Sequence, residues 1–499
     1  MNKKNTIETR KNKLIISKTV KSEIFSKLKE YNQSMPTKDM LKEQFAIYFF
    51  HYVAKHVRRI DYDEPKNKDE EFGFTRLYSI ILKRKHYKYN KYIEFLVDNE
   101  FVEKRGKPSA KDRRSTAYSI NPKYVLSDYE VLEITDKKVI NTLVKDYQDK
   151  KIIADKKCPH LTQYLNTDLS IDYNNALTLV KNEYYSTIIN SNNEYEKKKA
   201  LRKYESRMFS IYCLKEGQVY YSREGKDNRL HSIITNMAKN LRQFLLHKGK
   251  PIIFIDMRTS QPFFLTYLIY LLKKFSITED NTSNTNSYNN NKNTSKHNTS
   301  NITTNNHYSP YMLQKLEKYM SELQVMDALS EDFKEFLYLV IDEDQDLYQS
   351  FGETLKNAQR IKYNPTRVEP LLKLQNGNYK VCTNVKGNSP IYKDFATERK
   401  LSKFLIFRYL FTTNPNDNAM GFHEFELRFP YIAKFLKSYQ RFVKDNDDQH
   451  KIPHLSVLLQ NMESELILDI VTKEINKLYG KTYLLLQKDS SISASIFLN

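Results

Sequence analysis

Apolar residues recur at helical spacing between Lys42 and Arg59, where Phe45, Tyr48, Phe49, Val53 and Val57 share one face. Leu77, Ile80, Ile81 and Leu82 predict a second helix. Tyr89, Tyr92, Ile93, Phe95 and Leu96 make the stripe of a third, ended by Asp98-Asn99. The pattern then changes: Phe101-Val102-Glu103-Lys104 reads as a strand, Arg105–Arg114 as a basic hairpin and Ser115–Ile120 as the return strand. Ahead of these elements, residues 1 to about 40 are polar and lysine-rich, helical in part and poorly anchored, and Asp61–Glu71, with Pro65, reads as an acidic linker. Residues 130 to 215 read as helices of mixed charge, for example Glu194–Arg207, with solvated faces. Two short apolar runs of buried-strand type follow. Pro251–Ile255 ends on Asp256, and Thr482–Leu486 leads through Gln487-Lys488 to Asp489. The Asn, Thr and Ser tract between Ser276 and Tyr308, which includes Asn289-Asn290-Asn291, lacks the apolar residues that would repay ordering entropy. It is expected to be a disordered insertion inside one folded domain.

Composition changes the picture in one respect. The chain has 499 residues, 40% of them hydrophobic, enough for two or three domains with proper cores. Lys and Arg number 81 against 60 Asp and Glu, a formal net charge of +21 with a pI near 9.3. Such a surplus favours a polyanionic partner, because each phosphate contact releases condensed counterions. A genome rich in A and T would also inflate Lys, Asn, Ile and Tyr, so charge alone assigns nothing. The three cysteines, Cys158, Cys213 and Cys382, are far apart and form no C-x-x-C, which excludes a disulfide framework or zinc ribbon and fits a reducing compartment. No apolar run approaches the roughly 20 residues of a membrane span. The basic start leads into no signal segment, so the protein is expected inside the host cell, in the cytoplasm, and not secreted.

Helix, helix, strand, basic loop, strand over residues 72 to 126 is the order of a winged helix, and the segment resembles that family. The resemblance implies nucleic-acid binding, with Lys88, Lys91, Lys107, Lys111, Arg113 and Arg114 toward phosphates. Winged helices also dock proteins.

A carboxylate at the tip of a buried strand is held rigidly at the sheet edge. Two such tips side by side, Asp256 and Asp489, could hold a pair of divalent cations, the arrangement that drives phosphoryl transfer by in-line displacement. Between them, Arg399, Lys403, Phe407 and Phe411 recur at four-residue intervals and so line one helix face, two cations followed by an aromatic platform. Upstream run Arg229-Leu230-His231-Ser232, Asn236 and Arg242; Asp346-Leu347-Tyr348 opens another helical segment.

In this order the motifs resemble the palm and fingers of family A DNA polymerases and, through them, the single-subunit RNA polymerases. That family carries T-G-R-L-S-S, an asparagine and an arginine before its first metal-binding aspartate, and Arg229, Asn236, Arg242 and Asp256 fit the sequence of events. Its D-Y-S-Q motif is matched with Ser260-Gln261 two positions late. Its R-x-x-x-K-x-x-x-F-x-x-x-Y-G helix is matched by Arg399, Lys403 and Phe407, with Phe411 for the tyrosine and Thr412 for the glycine. Phe425–Pro430 echoes its F-x-x-x-x-P segment, Gln460 its template-side glutamine, and Lys488-Asp489-Ser490 its final H-D-E or H-D-S. Lysine for histidine beside Asp489, a long first gap, a short second gap and an end ten residues after Asp489 (499 − 489), where the family has a further strand and helix, depart from the pattern.

The resemblance implies an α+β multidomain protein: residues 1–71, a winged-helix module at 72–126, a helical connector at 127–215, and a right-hand palm with helical fingers at 216–499. It implies template-directed DNA polymerase activity in a phage, plasmid or other mobile element, with two Mg²⁺ on Asp256 and Asp489. Arg399, Lys403, Phe407, Phe411 and Gln261 would bind the nucleoside triphosphate, and Arg229, Asn236, Arg242 and Gln460 the primed DNA. A non-enzymatic DNA-binding initiator with a decayed palm, or an RNA polymerase or primase on the same palm, stays open. Taken singly, each residue also has an ordinary role. Asp256 would cap a helix, Asp489 sit in a turn, Arg399 and Lys403 line a solvated face, and Phe407 and Phe411 fill a core.

Overall fold

A computed structural model describes residues 13–57, 74–106, 115–124, 128–256, 259–283, 310–322, 330–358, 360–364, 367–370, 372–373, 379–386, 389–412, 422–450, 452–479, 484–487 and 493–496. Three hydrophobic cores organise these residues.

The first core begins with β1 (Lys13–Ser17), α1 (Lys18–Gln33) and α2 (Glu43–Val57), and continues through β2 (Thr75–Arg76), α3 (Ser79–Lys85), α4 (Tyr89–Asp98), β3 (Val102–Arg105), β4 (Ala117–Ile120) and β5 (Tyr129–Glu133). Strands β2, β4 and β3 form an antiparallel sheet in that order, with Val102 opposite Ile120 and Arg105 opposite Ala117. Helix α2 packs on α4 and β4 through Phe45, Phe49 and Val53. From Lys13 onward the amino-terminal segment is anchored rather than loose. Leu14, Ile15 and Ile16 are buried, β1 pairs with β5 over five positions, and Ser17 caps α1 by accepting from Val20 N at 3.3 Å. The unit expected at 72–126 therefore shares one core with residues from Leu14 to Leu143. Lys107, Lys111, Arg113 and Arg114 lie outside the described residues.

The second core holds α5 (Lys137–Lys157), α6 (Pro159–Thr162), β6 (Leu169–Ile171), α7 (Tyr173–Asn190), α8 (Glu194–Lys215), the hairpin β7 (Tyr221–Ser222) and β8 (His231–Ser232), β9 (Leu245–His247) and β10 (Lys250–Pro251). Asp136 and Asp172 cap α5 and α7. The sheet β10–β9–β6 ties the connector to the segment before Asp256, so the expected division at 215 also runs through a core.

The third core is mainly helical: α9 (Ser260–Ser283), α10 (Pro310–Glu322), α11 (Glu331–Ile341), α12 (Leu347–Ala358), α13 (Glu398–Phe411), α14 (Phe422–Arg428), α15 (Pro430–His450) and α16 (Leu455–Ser464). Before α9 runs β11 (Ile253–Asp256). The backbone of α9 continues to Ser283, so the first residues of the tract expected to be disordered are helical; residues 284–309 lie outside the described residues. Between α12 and α13 no helix occurs among the described residues of the chain. It forms β12 (Arg360–Asn364), β13 (Arg367–Pro370), β14 (Leu372–Lys373), β15 (Tyr379–Lys386) and β16 (Ser389–Phe395). Tyr379, Val381, Thr383 and Val385 recur at every second position, with Lys380, Asn384 and Lys386 among the residues between and after them, the period-two pattern of a strand.

A π-helical segment, Glu465–Val471, continues α16 into α17 (Thr472–Tyr479). The last strands are β17 (Leu484–Gln487) and β18 (Ser493–Ile496). A strand thus follows Asp489, where the sequence suggested the chain ends too soon for one.

Candidate functional site

Strands β11, β18 and β17 form one antiparallel sheet in that order. Asp256 is opposite Ser493, and Gln487 is opposite Ser493 from the other side. The ends of β11 and β17 are therefore level. Asp489 falls between β17 and β18, outside the described residues, and of Asp256 only the backbone is described.

Thr259, three positions after Asp256, has φ 53°, uncommon for a β-branched residue. Its buried hydroxyl donates to Val340 O at 3.1 Å, which fixes the entry of α9. Strain held in this way is found where the surrounding structure over-determines a site. Gln261 follows, and its Nε2 donates to Glu463 Oε2 of α16 at 2.9 Å. The same oxygen accepts from Arg229. Burial pushes the Glu463 carboxyl up, opposed first by the Arg229 guanidinium and then by bonds from Ser260 and Gln261.

Arg229 ends a loop that α16 and the π segment grip at several points. Arg223 makes a bidentate pair with Asp469, Nη1 to Oδ1 at 2.7 Å and Nη2 to Oδ2 at 2.6 Å. Its Nε donates to Asn228 O at 2.9 Å, and Ser464 Oγ donates to Asp227 O at 3.1 Å. Inside the loop, His231 Nε2 donates to Asp227 Oδ1 at 3.2 Å. Burial opposes ionisation of Asp227, but His231 and Arg229 outweigh it and hold its pKa at about 2. In the π register Thr472 N bonds to Ile467 O, and Leu468 O takes Thr472 Oγ1 at 2.8 Å and His160 Nε2 at 2.8 Å.

The second cluster lies on α12 and α13. Asp346 caps α12 with Oδ1, accepting from Tyr348 N at 2.9 Å and Gln349 N at 3.1 Å, and holds Arg399 Nε with Oδ2 at 2.6 Å. Lys403 Nζ is 5.6 Å from the Tyr348 ring centroid and 5.7 Å from that of Phe407, within cation–π range. Phe407 is half-buried and stacks on Tyr348, and Phe411 meets Phe407 edge-on at 5.3 Å while reaching the surface. Burial keeps the Tyr348 hydroxyl protonated well above its ordinary range. Gly352 permits the helices to meet, since a Cβ there would lie 3.0 Å from the Glu398 backbone.

The remaining expected residues are placed as follows. Gln460 is half-buried one turn before Glu463 on α16, Arg242 is buried in a 3₁₀ turn, and Asn236 is exposed. Lys91 binds Asp39 at 2.8 Å, and Lys88 donates to Lys38 O and lies 3.7 Å from Asp39. The Lys91 bond holds the Asp39 carboxyl below its usual range. The exposed positions of α4 include Glu94 and Asp98, so its outer surface is partly acidic. Sequence reasoning missed Glu463, Asp469, Arg223 and the role of Asp346. The signal for Glu463 was present, because it falls four residues after Leu459 on the apolar stripe of Leu455, Leu458, Leu459 and Met462.

Compared with known proteins, the chain matches no family model, and no curated protein or solved structure is significantly similar. No helix among the described residues is long and apolar enough to cross a membrane.

Proposed function

We propose that this chain is a template-directed nucleotidyl transferase of the DNA-polymerase type, working inside its host cell, with a nucleic-acid-binding unit of winged-helix order at its amino-terminal end. The observation that carries the reading is the register of β11, β18 and β17, which brings Asp256 level with the end of the strand leading to Asp489. The sheet order β2–β4–β3, with α3 and α4 between the first strand and the hairpin, supports the second part.

Two carboxylates are a donor set that fits a hard cation such as Mg²⁺, which takes one or two of them together with water and substrate phosphates. Asp256 and Asp489 would hold it. When bound, two such ions acidify an attacking hydroxyl and offset charge at the transferred phosphorus. The protein's own part is binding and orientation. Arg399, steadied by Asp346, and Lys403, steadied by Tyr348 and Phe407, would neutralise the triphosphate. Lys403 would donate a proton to the leaving pyrophosphate, and Phe407 would pack against the incoming base.

Extension of a primed DNA template, with deoxy- or ribonucleotides and with or without primer, tests the reading. Asp256→Asn and Asp489→Asn should each abolish incorporation while the protein stays folded, and the pair should be no worse than either. Wild type without divalent-cation-dependent incorporation in every condition would sink it. The pairing of Arg399 with Asp346 at 2.6 Å favours a second reading, in which the helix face is structural and the protein binds DNA without catalysis.

A further inference from the structure

Three segments distant in sequence converge on one carboxylate. Arg229 comes from the loop after β7, Gln261 from the first turn of α9, and Glu463 from the end of α16, and Glu463 Oε2 accepts from both partners. Glu463 and Gln261 are each 1% exposed. Gln261 Oε1 is buried without a hydrogen-bond partner, a cost the fold carries here. Packing does not demand this arrangement, because a buried ion pair is often replaced by apolar residues of similar volume with no loss of stability. What the cluster achieves is geometric. It locks the Arg229 guanidinium to the segment that starts five positions after Asp256, just beyond the strained Thr259.

The pair also sets the charge that Arg229 presents. With Glu463 ionised beside it, Arg229 keeps N–H donors for a ligand while the two side chains together carry no net charge. A nucleic-acid contact made through such an arginine releases few counterions.

We propose that Glu463 is a positioning residue for nucleic-acid binding, fixing Arg229 to Gln261 in the segment that follows β11 in the chain and masking the charge of Arg229 at that contact. The proposal rests on the nucleotidyl-transfer reading, from which the contact of Arg229 with nucleic acid is taken.

The test uses the full chain, primed DNA, and Glu463→Ala beside Glu463→Gln. Glutamine keeps an acceptor for Arg229 and Gln261 but not the charge; alanine keeps neither. At saturating nucleotide, Glu463→Ala should lower kcat for extension by about tenfold or more, as expected for a misplaced binding group. Glu463→Gln should recover to within about threefold of wild type, and nucleotide KM should rise more in Glu463→Ala than in Glu463→Gln because Gln261 loses its anchor. Both variants should steepen the slope of log affinity against log salt by about one, since each uncovers one positive charge at the DNA. Arg229→Ala should match the kcat loss of Glu463→Ala, and the double variant should add little.

Extension by Glu463→Ala at the wild-type rate, or an equal kcat loss in Glu463→Gln, would overturn the positioning role. If wild type extends nothing, the transferase reading falls and the salt slope alone decides. A steeper slope in Glu463→Gln supports the masked contact, and an unchanged slope refutes it. Should Glu463→Ala fail to fold, Glu463→Gln, of nearly the same shape, carries the measurement.

Discussion

The pair between Arg223 and Asp469 should behave asymmetrically when it is broken. The Arg223 side chain is 1% exposed and that of Asp469 is 26% exposed. Asp469→Leu leaves a guanidinium enclosed without its carboxylate, a change worth about 3 kcal/mol, the low end of the range because water reaches the Asp469 side. Arg223→Met leaves a carboxylate that can hydrate and loses the bond to Asn228 O, worth about 1.5 kcal/mol. Replacing both should return the protein to within about 1 kcal/mol of wild type. The coupling in the double-mutant cycle is then about 3.5 kcal/mol, far above the scatter for independent sites. Three separate cores make a single global unfolding free energy a poor measure, so the readout is native-state hydrogen exchange in residues 223–229. Asp469→Leu should speed exchange there by roughly 150-fold, on the scale of tenfold per 1.4 kcal/mol. Wild-type exchange in that variant, or a double variant worse than either single one, would show that the loop is held by its other contacts.

Gly352→Ala should push α12 and α13 apart, because the added carbon meets Glu398 backbone at 3.0 Å. The net cost should be about 1–2 kcal/mol after the gain in helix propensity, read as hydrogen exchange in α12 and α13 faster by roughly 5- to 30-fold; exchange at the wild-type rate would mean that the helices adjust freely. Acid should weaken the fold in two steps. Burial lowers the pKa of His160 in the folded state, so its contribution is complete above the unfolded value near 6.5 and declines as pH falls below it. Asp227, held at about 2 in the fold, contributes fully above an unfolded value near 3.9 and loses that contribution as pH falls toward 2. His160→Gln should flatten the first limb of a stability–pH curve and Asp227→Asn the second; a limb that survives its own substitution would assign it to other groups. Asp346→Asn should shorten the life of α12's first turn and release Arg399 together, raising nucleotide KM where incorporation is measured; a KM equal to wild type would show that Arg399 is placed without Asp346.

Local pattern carried the parts of the fold that depend on local interactions. The stripe from Phe45 to Val57, the stripe from Tyr89 to Leu96 and the strands around the basic loop all appear near their expected places. What escaped was nonlocal. The segment Leu14-Ile15-Ile16 looks like a stray apolar run until β5, more than a hundred residues on, supplies its partner. The cores that span positions 71 and 215 escaped for the same reason, since composition marks linkers but not which cores they join. The strands between α12 and α13 were legible and overlooked. Alternation from Tyr379 to Val385 precedes Gly387-Asn388, a two-residue hairpin signal, and Lys386 pairs with Ser389 across it.

The site shows the limit more sharply. A sequence reveals which residues carry charge, and from spacing it reveals which of them share a helix face. It does not reveal which charges are already answered. Lys91 reads as a phosphate contact until Asp39 takes it, Arg399 as a triphosphate grip until Asp346 holds its Nε, and Arg229 as a free cation until Glu463 meets it from 234 residues away. These acids differ in what they do to their partners. Asp39 is part-exposed and competes with phosphate at little cost, so its lysines remain exchangeable. Glu463 is enclosed, so Arg229 cannot leave it without stranding a buried carboxylate, and any ligand of Arg229 must come to the arginine where Glu463 holds it. The first kind of pair leaves its cation open to exchange with a solvent anion; the second fixes the place of its cation. On the proposed function it is the second kind, which Gln261 ties to the segment following Asp256, that would set where a primer end lies.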